Sequence, residues 1–431
     1  MLIQFNFKNY KSFRDETSLD LSATKITEHE THVVEMANDK LLKVAAIYGA
    51  NASGKSNVYE AFEYMTYYVL ESFKFGGEDE KRRKEEDGYL KVIPFLLDEG
   101  SRNEATTFEV FYVDNSEDAG KIYQYGFSLR DDEVVEEWLY SKAKTARNRY
   151  RTIFYRKKGE ELEMNGFAKS HVENIKSALN KESLIVSLGA KLRIAKLKMV
   201  RDWFLKNEVV NFGDPAENFF RSRVLPEGFV DSKKVQSNVA EYFSSFDEAI
   251  RGFEVEESAQ EVEQDQSKSY KIDALHSMAG SENMASISLK EESSGTLKML
   301  ALYPSLKEVL DSGSTLFVDE LNARLHPLLV RNIILTFLSP EINTRNAQLI
   351  FTTHDVWQFT NELLRRDEIW MVNKDRDGVS ELYSLVDFKD EDGNKVRRDE
   401  ALAKKYLTGS YGAIPALKPM TMLREETPDG E

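Results

Sequence analysis

Residues 44–57 read Val44-Ala45-Ala46-Ile47-Tyr48-Gly49-Ala50-Asn51-Ala52-Ser53-Gly54-Lys55-Ser56-Asn57, an apolar run that leads into a glycine-framed loop. The short run 44–47 predicts a buried strand. Residues 49–56 satisfy G-x-x-x-x-G-K-[ST] at every defined position, the pattern of a phosphate-binding loop. In such a loop the glycines let successive N–H groups turn inward onto phosphate oxygens. Gly49, Asn51, Ala52, Ser53, Gly54, Lys55, Ser56 and Asn57 are therefore the candidate nucleotide-binding residues. Lys55 is placed to reach the β- and γ-phosphates of ATP, and the Ser56 hydroxyl to ligate Mg2+. A helix should follow, with its positive end toward the anion. Val58, Phe62, Met65 and Val69 recur at three- and four-residue spacing and give it an apolar face.

Composition bounds what such a loop can serve. A chain of 431 residues can form two or three domains, and its 41% hydrophobic content supplies a substantial core. No run approaches the ~20 apolar residues that span a bilayer, and the opening MLIQFNFKNYKSF lacks the order of a secretion signal. With no cysteine, disulfides and thiolate metal sites are excluded, and a cytoplasmic location is expected. The net charge of -16 argues against nonspecific nucleic-acid binding by the whole surface, since phosphate contacts depend on Lys and Arg.

Outward from the loop, residues 2–7 alternate apolar and polar side chains and read as a strand. A second strand over residues 17–21 should complete a hairpin beside the strand at 44–47. Residues 76–88, GGEDEKRRKEEDG, form a charge-dense insert that reads as a solvated loop or short polar helix. From about Thr106 the period becomes two, and TFEVFYVD, KIYQYGFSL, VVEEWLYSK and YRTIFYRKK predict an antiparallel meander. Residues 168–250 read as mostly helical. Lys191, Arg193, Lys196, Lys198 and Arg201 make that tract basic, which suits a solvated face or a contact with nucleic acid or an acidic partner. Residues 256–269 read as a polar loop, and neither a long heptad run nor an internal repeat is present.

A second chemical block begins at Ser293-Ser294-Gly295-Thr296, ahead of an apolar helix over residues 297–310. A hydroxyl-bearing corner at a helix start is a further anion-binding geometry. Next comes Ser314-Thr315-Leu316-Phe317-Val318-Asp319-Glu320, a buried strand ending in two acids. Buried acids are costly unless they hold a metal or a proton; Asp319 suits Mg2+, and Glu320 suits polarising an attacking water. A third strand, residues 347–353, delivers His354 to its carboxyl end, where ligands of open α/β sheets bind. His354 is thus placed to donate to the γ-phosphate.

The order of phosphate loop, SSG, DE strand and TTHD strand resembles the ABC-type ATPases of the SMC and RecF class. ANASGKSN, EESSGTLKML, FVDELNARLHPLL, AQLIFTTHD, LLRRDEIWMV, LYSLVDF and YLTGSYGAIPAL are similar to the RloA/AbiLi-type ATPases of bacterial anti-phage abortive-infection systems, relatives of the PARIS ATPase. The resemblance covers residues 1–75 and 286–418. It implies an α/β fold, an ABC-type ATPase head with a mixed sheet, an antiparallel meander and a helical insertion. The expected division is an N-terminal lobe (1–160), a helical insertion (161–255) and a C-terminal lobe (256–431). It further implies a homodimer or higher oligomer in which Ser293, Ser294 and Gly295 of one copy clamp ATP held by Lys55 of another. Glu320, His354 and Lys55 would be catalytic, Ser56 and Asp319 would hold Mg2+, and residues 322–325 would cross the interface. The implied partner is a separately encoded nuclease or toxin.

Two positions depart from that pattern. Asn322 stands where such loops often carry an acid, and Gln124, the nearest candidate for a Q-loop glutamine, sits in an alternating strand context. A RecF-like repair ATPase that binds DNA through the basic tract is the alternative. An OLD-type nuclease is disfavoured because Asp375-Arg376-Asp377-Gly378 reads as a hairpin turn rather than a metal site.

Overall fold

The computed structural model describes residues 1–76, 91–114, 120–143, 149–221, 224–257, 270–390 and 392–415. The charge-dense insert, apart from Gly76, and residues 258–269 of the expected polar loop lie outside the described residues. Strands β1 (Leu2–Lys8) and β2 (Thr17–Asp20) form the hairpin that alternation predicts. Its place differs from expectation. The free edge of β1 pairs antiparallel with β6 (Thr106–Val113), so the hairpin extends the meander and is not in one sheet with the loop strand. The cause is aromatic packing: Phe5 and Phe7 are buried, and the Phe5 ring meets Phe62 edge-on at 5.3 Å. Strands β7 (Ile122–Arg130), β8 (Glu133–Lys142), β9 (Arg151–Lys157) and β10 (Glu163–Met164) complete the meander as expected. The sheet order is β10-β9-β8-β7-β6-β1-β2. A small hairpin, β3 (Val33–Met36) with β4 (Asp39–Leu42), precedes the loop strand.

That strand is β5 (Val44–Gly49), and every residue of it is buried. It lies inside a six-stranded sheet of order β11-β15-β16-β5-β17-β18. The members are β11 (Glu208–Asn211), β15 (Thr315–Asp319), β16 (Gln348–Thr352), β17 (Ile369–Lys374) and β18 (Ser380–Ser384). All neighbours run parallel except β17 and β18, which form a hairpin across residues 375–379. Parallel strands covered on both faces read as continuous apolar runs, and β5, β15 and β16 do. Ala45 and Ile47 join the core under helix α1 (Lys55–Glu71) and the meander, while Val44, Ala46 and Tyr48 join the core on the opposite face.

Between the meander and β15 the expected helices are present as α2 (Lys169–Ala178), α3 (Ile185–Lys191), α4 (Ala195–Lys206), α5 (Pro215–Arg221) and α6 (Lys233–Ser244). Two strand features add to the helical reading. The first is β11, an edge strand of the loop sheet that begins just after α4. Its four residues are too few to show a period, and its position is fixed from afar, where the Asn207 side-chain oxygen accepts the Thr315 N–H at 3.0 Å. The second is a three-stranded antiparallel sheet of β12 (Ile250–Glu257), β13 (Tyr270–Ser277) and β14 (Met284–Ser288). It packs on α6 through Phe243 and Phe253, whose centroids are 5.8 Å apart. The chain continues through α7 (Ser294–Ser312), α8 (Pro327–Leu338) and α9 (Leu402–Leu407). Among the described residues no helix is long and apolar enough to cross a membrane.

Glu137 ties the meander to the helices. Its buried carboxylate accepts the N–H groups of Ile185 and Val186 at 2.7 and 3.1 Å and the Tyr125 hydroxyl at 3.1 Å. Burial pushes its pKa up to about 7, against the opposing pull of Arg156 and these donors. A raised carboxyl pKa means that the fold favours the protonated form. The associated stability is therefore fully present below the ordinary value of 4.5 and is lost as pH rises through about 7. Urea unfolding of wild type should show a loss between pH 4.5 and pH 8 that Glu137→Gln lacks, about 3 kcal/mol at most.

Candidate functional site

The loop between β5 and α1 has the geometry its glycines allow. Gly54 has φ +112°, and a Cβ there would lie 2.6 Å from Ser380 Oγ and 2.8 Å from Ser12 Oγ. At Gly49 a Cβ would meet the Val372 carbonyl at 2.5 Å and Ser53 Oγ at 2.7 Å. The Val372 backbone crowds Gly49 and serine hydroxyls crowd Gly54, so neither position has room for a side chain. Ala52 at the exposed tip also has positive φ, +63°. Lys55 is buried and donates to the carbonyls of Gly49 and Ala50 at 2.8 and 3.0 Å. Burial lowers its pKa, and the charges of Glu320 and Asp319 oppose that fall.

A buttress holds the loop from behind. Asn57 donates to Ser12 Oγ at 2.7 Å, and Ser380 Oγ lies 2.7 Å from Ser12 Oγ and 2.6 Å from the Ser53 carbonyl oxygen. Ser12 and Ser380 had no signal in the sequence, because each comes from a remote turn or strand start. The Ser53 hydroxyl is buried without a partner. A partnerless hydroxyl beside a desolvated ammonium, in a loop with no room for side chains, fits a bound phosphate.

The acids arrive at the same end of the sheet. Asp319 closes β15, is buried, and accepts hydrogen bonds from the Thr352 hydroxyl at 2.5 Å and from Ser56. Burial raises its pKa, against these two donors. A carboxylate and a hydroxyl already in contact suit a small hard cation such as Mg2+. Half-buried Glu320 follows with φ +53°, and its N–H donates to Thr352 Oγ1 at 2.8 Å. Asn322 binds the next strand end: its Oδ1 accepts the Thr353 hydroxyl at 2.8 Å, and its Nδ2 lies 3.1 Å from His354 Nε2. With Oδ1 so occupied, Nδ2 is turned to the ring, whose Nδ1 lies farther off at 3.5 Å. The position that departs from the acidic pattern is thus the one that orients His354.

Lys55, Ser56, Asp319, Glu320 and His354 accordingly stand at the carboxyl ends of three adjacent parallel strands. Ser293, Ser294 and Gly295 stand elsewhere, at the start of α7. Ser293 accepts the Thr296 N–H at 3.1 Å as an ordinary cap, and both serines are exposed. Among the described residues no hydrogen bond joins them to residues 49–57 of the same chain. Gln124 donates to Glu109 at 2.7 Å within the meander, as a strand residue.

The basic tract is largely engaged. Lys196 donates to the Gly166 carbonyl at 2.7 Å, Arg201 donates to the Leu70 carbonyl at 3.0 Å, Lys198 pairs with Asp202, and Lys191 lies over the Phe73 ring at 5.0 Å. These contacts fit the structural role of a solvated helix face. Among the described residues no group of three or more His, Cys, Asp or Glu side chains could hold a metal ion by itself.

Comparison with known proteins places most of the chain in a family. The family model described as "AAA domain, putative AbiEii toxin, Type IV TA system" matches residues 44–356, from the start of β5 to just past His354. Comparison with curated proteins gives no match. Among solved structures, the SMC head domain from Thermotoga maritima is similar over 89% of this chain and 98% of that chain, with a TM-score of 0.39 and 14% identity.

Gly54→Ala forces a side chain into a left-handed position and against two serines. It should weaken ATP binding at least about ten-fold without loss of folding, measured by titration with a fluorescent ATP analogue.

Proposed function

Because the chain belongs to this AAA-domain family of P-loop ATPases, we propose that it hydrolyses ATP at a site shared between two copies and uses the resulting engagement to switch a partner protein. The observation that supports this reading is the division of the phosphate-binding groups. Lys55, Asp319, Glu320 and His354 follow the carboxyl ends of adjacent parallel strands, while Ser293 and Ser294 are exposed at a helix start, with Ser293 bonded within its first turn. An exposed helix N-terminus is open to an anion from outside its own chain.

In the proposed cycle, the N–H groups of residues 49–56 and the Lys55 ammonium bind the phosphates of ATP, and Ser293 to Gly295 of the second copy close over the γ-phosphate. Ser56 and Asp319 would hold Mg2+, which when bound neutralises phosphate charge. Glu320 takes a proton from the water whose oxygen attacks the γ-phosphorus as the bond to the bridging oxygen breaks. His354, oriented by Asn322, donates a ring N–H to the γ-phosphate. The acceleration then comes from positioning and fixed charge. The resemblance to RloA/AbiLi-type ATPases supports a role in anti-phage defence. There the engaged dimer, or a larger oligomer built from it, would control a separately encoded nuclease or toxin in the cytoplasm.

Glu320→Gln should bind ATP without hydrolysing it and elute as a dimer or larger species in size-exclusion chromatography. Adding Lys55→Ala should return it to the monomer position. An ATP-loaded Glu320→Gln protein that stays monomeric sinks the engagement model.

A further inference from the structure

Lys298 is a buried cation that none of the roles above uses. It lies one turn into α7, 5% exposed, and its Nζ donates to the carbonyl of Ala323. The ammonium also lies 3.9 Å from the centroid of the Phe212 ring, immediately after β11. Phe212 is in turn fixed to the end of β15, its N–H donating to the Asp319 carbonyl at 2.9 Å. Lys298 therefore joins three elements: the helix that begins at Ser293, the loop that follows Glu320, and the edge strand beside Asp319.

The loop it grips is strained. Glu320 has φ +53° and Arg324 has φ +59°, both unfavourable for residues with side chains. Ala323 lies between them, its N–H bonded to the Glu320 carbonyl at 2.8 Å. The start of α7 touches the same loop a second time, since a Cβ on Gly295 would sit 3.7 Å from the Arg324 carbonyl oxygen. From Ala323 the path continues through Asn322 to His354 and through the backbone to Glu320. Burial pushes the pKa of Lys298 down to about 8, with Arg324 adding to the fall and Glu320 opposing it. An ammonium kept under those conditions needs the contacts it makes.

We infer that Lys298 is the positioning residue that makes hydrolysis conditional on engagement: contact of a second copy with Ser293 to Gly295 is passed through Lys298 to the loop carrying Glu320 and Asn322. The inference rests on the shared-site reading above. Lys298 is far enough along α7 to leave the exposed serines uncovered, yet it is bonded to the loop that carries Glu320 and the Asn322 contact to His354. A shift of α7 on engagement therefore has a direct route to both.

Lys298→Met keeps the stem and removes the charge, and Lys298→Arg keeps a donor and a cation over Phe212. With full-length protein and Mg-ATP, Lys298→Met should lower kcat about 10- to 100-fold while affinity for a fluorescent ATP analogue changes less than about two-fold. Lys298→Arg should recover most of the lost kcat. Hydrogen exchange gives a readout independent of turnover. In Lys298→Met, peptides spanning residues 320–325 and 353–355 should exchange about ten-fold faster, with residues 49–57 unchanged. Unaltered kcat and exchange in Lys298→Met overturn the inference, as does a Lys298→Arg variant as defective as Lys298→Met. A fall in ATP affinity matching the fall in kcat also overturns it. Wild-type protein that binds no ATP overturns the shared-site reading itself, and this inference with it.

Discussion

The hydrogen bond from the Thr352 hydroxyl to Asp319, 2.5 Å long, holds the end of one parallel strand against the end of the next. A carboxylate 2% exposed must be supplied with donors, and β16 supplies one while the start of α1 supplies another through Ser56. The same threonine accepts the Glu320 N–H at 2.8 Å and so fixes the turn that presents the second acid. That arrangement requires the register in which Val318 lies opposite Phe351, and Thr352 opposite Ile47. A slip of one residue would turn Asp319 away from Ser56, send Ile47 to the wrong core and separate the phosphate loop from its acids. The site is in this sense a property of strand register rather than of any one loop.

Around that fixed centre the loops carry strain. Ala52, Glu320 and Arg324 all have positive φ, a conformation that costs a side-chain-bearing residue about 1–2 kcal/mol. Each is held by contacts from elsewhere in the chain: Ser380 below the phosphate loop, Thr352 beneath Glu320, Lys298 and Gly295 against the loop ending at Arg324. Strain held by remote contacts is what a conformational switch needs, because loosening one contact shifts the balance of the whole loop.

Much of this was legible in the sequence because it is local. The loop 49–56 declares itself by spacing, β15 and β16 by short apolar runs ending in functional residues, and α7 by its serine cap and apolar face. What escaped depends on residues distant in the chain. Thr17–Asp20 reads as a strand, but nothing nearby says that its hairpin joins the meander through the pairing of β1 with β6. Glu208–Asn211 hides behind a helix because its partner, β15, lies about a hundred residues on. The β12 to β14 sheet has a weak sequence pattern because β14 leaves most of its residues exposed. Ser12 and Ser380 are ordinary serines until folding brings them under Gly54. Asn322 departs from the acidic pattern, and its amide is what a clamp on His354 needs: one acceptor for Thr353 and one donor for the ring.

The central claim is that one ATP site is built from two copies of the chain. It is tested most directly by mixing two inactive variants, Lys55→Ala and Ser294→Arg, and measuring ATP hydrolysis. A mixed dimer holds one site with both defects and one site with neither. Each variant alone should be inactive, and the mixture should regain a substantial part of wild-type hydrolysis. Activity that stays absent in a mixture shown to contain mixed dimers, or a Ser294→Arg variant that hydrolyses ATP normally by itself, would contradict the account.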